Sequence, residues 1–215
     1  QGRKEKKMFD RYLRSAIDPP LNFIGIFLAR KGMMADHVTL FGLVFALILA
    51  VMIAFGLSGW VTLVPFVFNR LCDGLDGAVA RACGKTEFGS YLDICCDFAM
   101  FSAVPFAFVW HDVVKNGTAG AFLLMAFYIN AASYLGFAIM ASQRNITTSA
   151  RGAKSYYAAA GLMEGGETVV FFVLMLMLPL YFASLAFVFG GLCLLSALWR
   201  ILQAKQVFPP LNEFK

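Results

Sequence analysis

Charge is scarce in this chain. Only 14% of its 215 residues are charged, 60% are hydrophobic, 23 are Phe, and the mean hydropathy is +0.72. Soluble domains carry about 25% charged residues, so this composition excludes an ordinary water-soluble domain and predicts a membrane protein. The five cysteines, Cys72, Cys83, Cys95, Cys96 and Cys193, form no C-x-x-C pair. Most fall within or beside apolar stretches, where a thiol packs as a small apolar side chain. No internal repeat is visible, and low-complexity sequence is confined to apolar runs. The net charge of +5 comes without a stripe of basic residues interleaved with aromatics, which argues against nucleic acid as a partner. A cleavable signal peptide is not expected either, because the first apolar run begins late and the N-terminal segment is basic and mixed.

What the sequence does contain is length in its apolar runs. A helix needs roughly 20 apolar residues to cross the hydrocarbon layer. Six stretches qualify, at about 38–57, 60–80, 90–110, 119–142, 157–178 and 180–203. Most of the cations sit between them. With the N-terminus in the cytoplasm, Arg3, Lys4, Lys6, Lys7, Arg11, Arg14, Arg30, Lys31, Arg81, Lys85, Arg144, Arg151, Lys154, Lys205 and Lys215 all lie inside. Arg200 then falls near the inner end of the last span, and only Lys115 lies outside. That asymmetry follows the positive-inside rule. The expected fold is all-α and integral to the membrane, with six transmembrane helices and both termini in the cytoplasm.

Ahead of the first span, Phe9, Leu13, Ile17, Leu21, Ile24 and Leu28 recur at helical spacing, with Asp10, Arg11 and Arg14 on the other side and a break at Pro19-Pro20. This reads as an amphipathic interfacial helix; an ordinary cytosolic tail is the alternative. The expected organisation is therefore residues 1–7 as an expression remnant or disordered tail ahead of a natural start at Met8, and 8–34 as an interfacial amphipathic segment. Residues 35–205 form a six-helix transmembrane catalytic domain, and 206–215 a cytoplasmic tail. The outer connections are short and nearly uncharged, while the inner ones are longer and richer in charge, so chemistry is expected on the cytoplasmic side.

The chemistry-bearing residues cluster between spans two and three. Asp73 and Asp76 stand at i and i+3, Asp93 and Asp97 at i and i+4, so each pair shares one helix face. Two helices joined by a tight turn can bring the four carboxylates together. At a membrane boundary their repulsion and desolvation call for cations, and hard oxygen ligands suit Mg²⁺ or Mn²⁺. Read instead as helix caps or solvated charges, four carboxylates in this region have no common purpose. Gly77 leaves bare backbone beside Asp76, and Gly89 lies one turn before Asp93; either supports ligand approach or helix packing. Arg81 can offer a forked donor to a diphosphate, or serve as a topology marker.

The pattern Asp73-x2-Asp76-Gly77-x2-Ala80-Arg81, then Gly89-x3-Asp93-x3-Asp97, closely resembles the signature of the CDP-alcohol phosphotransferases, also called CDP-alcohol phosphatidyltransferases. Seven residues separate Arg81 from Gly89, where the family pattern has eight; each half keeps its own spacing. The segment Ala35-Asp36-His37-Val38-Thr39 is similar to the family's entry to its first span, without the proline often found at the position of Ala35, and implies at most a nucleotide contact.

The resemblance implies a metal-dependent enzyme of phospholipid biosynthesis. It would transfer a phosphatidyl group from a CDP-linked alcohol, typically CDP-diacylglycerol, to a hydroxyl acceptor with release of CMP. Asp73, Asp76 and Asp93 would hold two divalent cations, and Asp97 would touch the second cation and take the acceptor's proton. Gly77, Ala80, Arg81 and Gly89 would line the nucleotide and diphosphate pocket, lateral openings would admit the lipid tails, and the enzyme would be a homodimer of the cytoplasmic (inner) membrane.

Acceptor choice is expected between spans four and five. Arg144, Arg151 and Lys154 can bind an acceptor phosphate, or act as topology markers and lipid-headgroup contacts. Glu164 and Glu167, at i and i+3 in an apolar span, can meet acceptor hydroxyls or a cationic headgroup, or pair with Arg70 or Lys154. A carboxylate-based transporter of metal ions or protons is the alternative from another class. It predicts charges along a path and repeated halves, whereas here the aspartates cluster at one end.

Overall fold

A computed structural model describes residues 19–144 and 165–208. Among these residues every regular element is helical, and no strand is present. In lipid each backbone N–H and C=O must be satisfied within its own segment, which favours helices.

We label the elements α1 (residues 19–30), α2 (Ala35–Ala54), α3 (Trp60–Cys83), α4 (Glu87–His111), α5 (Val113–Gln143), α6 (Gly165–Met177) and α7 (Phe182–Val207), with a single 3₁₀ turn at Pro179–Tyr181 before α7. Among the described residues, four segments are long and apolar enough to cross a membrane: Ala35–Ala54, Glu87–His111, Val113–Gln143 and Pro179–Val207. Helix α3 is 24 residues long but carries Arg70, Asp73, Asp76 and Arg81, which lowers the apolar character of its C-terminal half. Helix α6 has 13 residues, and the first part of the expected fifth span lies outside the described residues, as do residues 8–18 of the expected interfacial helix.

The chain divides into two compact units. The first comprises described residues 19–52 and 61–104, the second 53–60, 105–144 and 165–208. In the first unit, α1 ends in a Schellman motif: Met33 N–H donates to Leu28 O at 3.1 Å and Gly32 N–H to Ala29 O at 2.9 Å. Gly32 adopts φ +81°, the left-handed conformation that glycine takes without steric cost. The outer face of α1 is apolar, with Phe23, Ile24, Ile26 and Phe27 exposed.

Small residues on the other face of α1 let it lie against α3. A Cβ on Gly25 would stand 2.7 Å from Ala78 Cβ and 2.9 Å from the Ala78 carbonyl carbon. Because the obstacle includes backbone, Gly25→Ala should cost about 1–3 kcal/mol of stability by overpacking and lower the melting temperature in detergent. At Gly74 the obstacle among the described residues is Leu21 Cδ1, at 2.9 Å, a flexible side-chain end, so Gly74→Ala should cost less. Equal melting of the Gly25→Ala and wild-type proteins would contradict this α1–α3 contact.

Helices α2 and α3 approach closely at Gly42, where an added Cβ would lie 3.1 Å from Cys72 Cβ, and Asn69 Nδ2 donates to Gly42 O at 2.8 Å. Phe45 and Phe68 stack across the same pair at 5.1 Å.

In the second unit, α5 and α7 pack along their length. Gly190 fits beneath Phe122, and buried Arg200 on α7 donates to Asn130 Oδ1 at 3.1 Å and Ser133 Oγ at 2.6 Å on α5. Aromatic packing fills the rest, including Phe108 on Phe182 and Phe171 on Phe189. Asp112 caps α5 by accepting from Lys115 N–H at 2.9 Å. Many large apolar side chains remain exposed on the outside of the helices, among them Phe41, Val44, Val51, Val64 and Val67. Such a surface suits lipid and not water.

Candidate active site: an aspartate cluster between α3 and α4

The site is assembled by a short turn. Helix α3 stops at Gly84, whose φ of +99° is again left-handed, and whose N–H donates to Ala80 O at 3.0 Å. Three residues later α4 begins, with Thr86 Oγ1 accepting from Gly89 N–H at 2.9 Å in the manner of an N-cap. The one-residue-shorter interval between Arg81 and Gly89 is thus accommodated in a capped turn.

The turn sets the aspartates of α3 and α4 face to face. One carboxylate oxygen from each of Asp73, Asp93 and Asp97 lies within 4.8 Å of the others. Opposite ligands on an octahedral Mg²⁺ are about 4.2 Å apart, twice a 2.1 Å bond, so small side-chain movements suffice for these oxygens to share a divalent ion. Asp76 is oriented differently. It is buried, 7% exposed, and its Oδ2 accepts from Thr39 Oγ1 at 2.8 Å. Thr39 has one hydroxyl proton and also lies 3.2 Å from Ala35 O; the shorter contact to a carboxylate is the stronger one. All four aspartates line one small cavity of about 10 Å³, with Thr39 and Arg70. That is room for about one water.

Asp76 and Asp93 also face a second, larger cavity of about 300 Å³, at the lower end of the range for small-molecule sites. Gly77, Ala80 and Gly89 line it, joined by Asp36 and Lys85. Gly89 is tightly placed: a Cβ there would come within 2.8 Å of both Asp36 Oδ1 and Thr86 Oγ1. Arg81 is exposed at the end of α3, its Nη2 donating to Asn22 Oδ1 of α1 at 2.8 Å and its Nη1 lying 3.4 Å from where a Gly77 Cβ would be.

The remaining expected residues fall elsewhere. Arg144 ends α5, exposed, with its guanidinium 5.3 Å from the Phe208 ring centroid. Glu167 lies half-buried in the first turn of α6. Both belong to the second unit, whereas the aspartates belong to the first. Arg151, Lys154 and Glu164 lie outside the described residues.

Three participants were not singled out by motif reasoning. Thr39 was read only as part of the entry to the first span, yet it holds Asp76. Asn69 is buried and accepts from Arg70 Nε at 2.9 Å. Arg70, considered above only as a partner for Glu164 and Glu167, contacts Asp73 at 3.6 Å and Asp97 at 3.1 Å. A signal was available for it: an arginine inside an apolar helix, three residues before a carboxylate, calls for a counter-ion on its own face.

No solved structure gives a significant match to this chain. Among curated proteins it is similar to Inner membrane protein YnjF of Escherichia coli (strain K12), at 38% identity over 196 residues, covering 90% of this chain and 94% of that relative. The CDP-alcohol phosphatidyltransferase family matches residues 32–203, a span that contains both halves of the aspartate motif, the capped turn between them and both cavities. With that match over most of its length, the chain belongs to the CDP-alcohol phosphatidyltransferase family.

Proposed function

We propose that this chain transfers a phosphatidyl group from CDP-diacylglycerol to a small alcohol, releasing CMP, at the cytoplasmic face of an inner membrane. The observation that carries this reading is the adjacency of two cavities: one lined by all four aspartates, the other, of about 300 Å³, lined by Gly77, Ala80 and Gly89 and sharing Asp76 and Asp93 with the first. Family membership supports the reaction class, a transferase acting on CDP-linked alcohols.

In this reading the larger cavity receives the nucleotide. Gly77 and Ala80 keep its wall free of bulk, Gly89 opens its other side, and Arg81 reaches the diphosphate from the end of α3. Asp73, Asp76, Asp93 and Asp97 would hold two divalent cations, Mg²⁺ or Mn²⁺. When bound, such a pair neutralises the diphosphate and stabilises charge on the attacking and leaving oxygens. The acceptor oxygen forms a bond to the lipid-side phosphorus, and the bond from that phosphorus to the bridging oxygen breaks. CMP leaves with the bridging oxygen, and Asp97 receives the hydroxyl proton. Asp97 stands one helical turn from Asp93 and meets Asp73 and Asp93 in the cluster, close enough to act on an acceptor held there.

The chain is a homodimer of six-span subunits with residues 8–34 as an interfacial segment, and residues 35–205 are the catalytic domain. Arg144, Arg151, Lys154, Glu164 and Glu167 form the acceptor or headgroup region, where the acidic pair favours an uncharged or cationic alcohol over a phosphorylated one. Incubating the purified protein with CDP-diacylglycerol and a panel of alcohols, then identifying the lipid by mass spectrometry, tests this. One new phosphatidyl ester is expected; failure of every alcohol, phosphorylated ones included, to yield an ester would refute it.

A further inference from the structure

Arg70 contacts two of the four aspartates, and it is held from three directions. On one side Gly42 O of α2 fixes Asn69 Nδ2 at 2.8 Å, and Asn69 Oδ1 in turn accepts from Arg70 Nε at 2.9 Å. On the other side the two ends of the guanidinium separate: Nη1 lies 3.6 Å from Asp73 Oδ2 on α3, and Nη2 donates to Asp97 Oδ1 on α4 at 3.1 Å. The Phe101 ring lies 5.9 Å from the guanidinium carbon, within reach for a cation–π contact. The Arg70 side chain is 19% exposed, so solvent screens these contacts only in part.

This geometry exceeds what a charge balance requires. A lysine could neutralise one carboxylate as a point charge, but only a planar fork can meet Asn69, Asp73 and Asp97 with three separate nitrogens. Arg70 holds Asp97 at one oxygen, Oδ1, and Asp97 lines the small cavity together with the other aspartates. We propose that Arg70 is a positioning residue of the transfer reaction: it ties Asp97 on α4 to Asp73 on α3 and so fixes the carboxylate that receives the acceptor's proton. The inference rests on the transfer reading above, since it gives Arg70 a role in that same site.

Misplacement of a reacting group by about 1 Å can cost about 10²-fold in rate. Arg70→Gln should therefore lower kcat about 100-fold while leaving KM for CDP-diacylglycerol within about threefold, the pattern of a lost transition-state interaction. Arg70→Lys should recover only a small part of the loss. In Arg70→Ala, millimolar guanidinium should restore turnover at least about tenfold, and urea, its neutral analogue, should not; a merely structural role would not produce that difference.

Mn²⁺ binding, followed by electron paramagnetic resonance, is the readout independent of turnover. Removing a cation from between Asp73 and Asp97 should leave Mn²⁺ affinity equal or tighter. Weaker Mn²⁺ binding in Arg70→Gln would overturn the inference, because Arg70 would then serve the metal site and not Asp97. Full activity in Arg70→Gln or Arg70→Lys would overturn it too, as would equal responses to guanidinium and urea. The wild-type protein measured in parallel separates the levels of failure. Wild type without CMP release removes the transfer reading as a whole, whereas active wild type with equally active Arg70→Gln removes only the role given to Arg70.

Discussion

Asp97→Asn should abolish phosphatidyl transfer, with turnover falling by about 10³-fold or more, while the protein still purifies as a folded membrane protein. A positioned general base contributes about 10²–10⁴-fold, and Asp97 is also one of the three carboxylates within 4.8 Å of each other, so the substitution removes a proton acceptor and weakens a ligand set together. The fold should tolerate it. An asparagine Oδ1 can still accept from Arg70 Nη2, which now donates to Asp97 Oδ1 at 3.1 Å, and Asp97 is only partly buried. The measurement is the rate of lipid product formation by the variant and wild type at matched monodispersity. Near-normal turnover in Asp97→Asn would show that another group takes the proton.

Removal of divalent cations should stop the reaction completely, and addition of Mg²⁺ or Mn²⁺ should restore it. The physical basis is charge. The small cavity is lined by four aspartates and one arginine, so with all five ionised its formal charge is four negative plus one positive, or −3. A diphosphate brings further negative charge to that wall, and like charges at this separation repel strongly where water is limited. Arg70 alone cannot offset it. The same cations, binding the folded protein and not the unfolded chain, should raise the melting temperature in a concentration-dependent way. Activity that survives full chelation would contradict the metal-dependent reading.

Much of this was legible in the sequence, for identifiable reasons. The aspartates declared themselves through two helical spacings, i to i+3 and i to i+4, and those spacings survive in α3 and α4 because a capped three-residue turn joins the helices. Gly77, Ala80 and Gly89, which line the larger cavity, stood out through the family resemblance; spacing alone left Gly77 and Gly89 open between ligand approach and helix packing. Thr39 and Asn69 were not readable in the same way. Each acts across helices, Thr39 from α2 to Asp76 on α3 and Asn69 from α3 to Gly42 on α2, and such contacts depend on how two helices are rotated, which periodicity does not encode. The distinct position of Asp76, drawn toward Thr39 and apart from the Asp73, Asp93 and Asp97 trio, has the same origin. Arg81 reaches Asn22 of α1, a contact that depends on where Gly25 and Gly74 let α1 settle.

The proposed cleavage of a CDP-linked lipid at its diphosphate is tested by CMP release from the purified protein in detergent, supplied with CDP-diacylglycerol, an alcohol panel and Mg²⁺ or Mn²⁺. CMP should form in step with a phosphatidyl product and depend on both the cation and Asp97. Absence of CMP under all these conditions, with cation flux appearing when the protein is placed in vesicles, would contradict it.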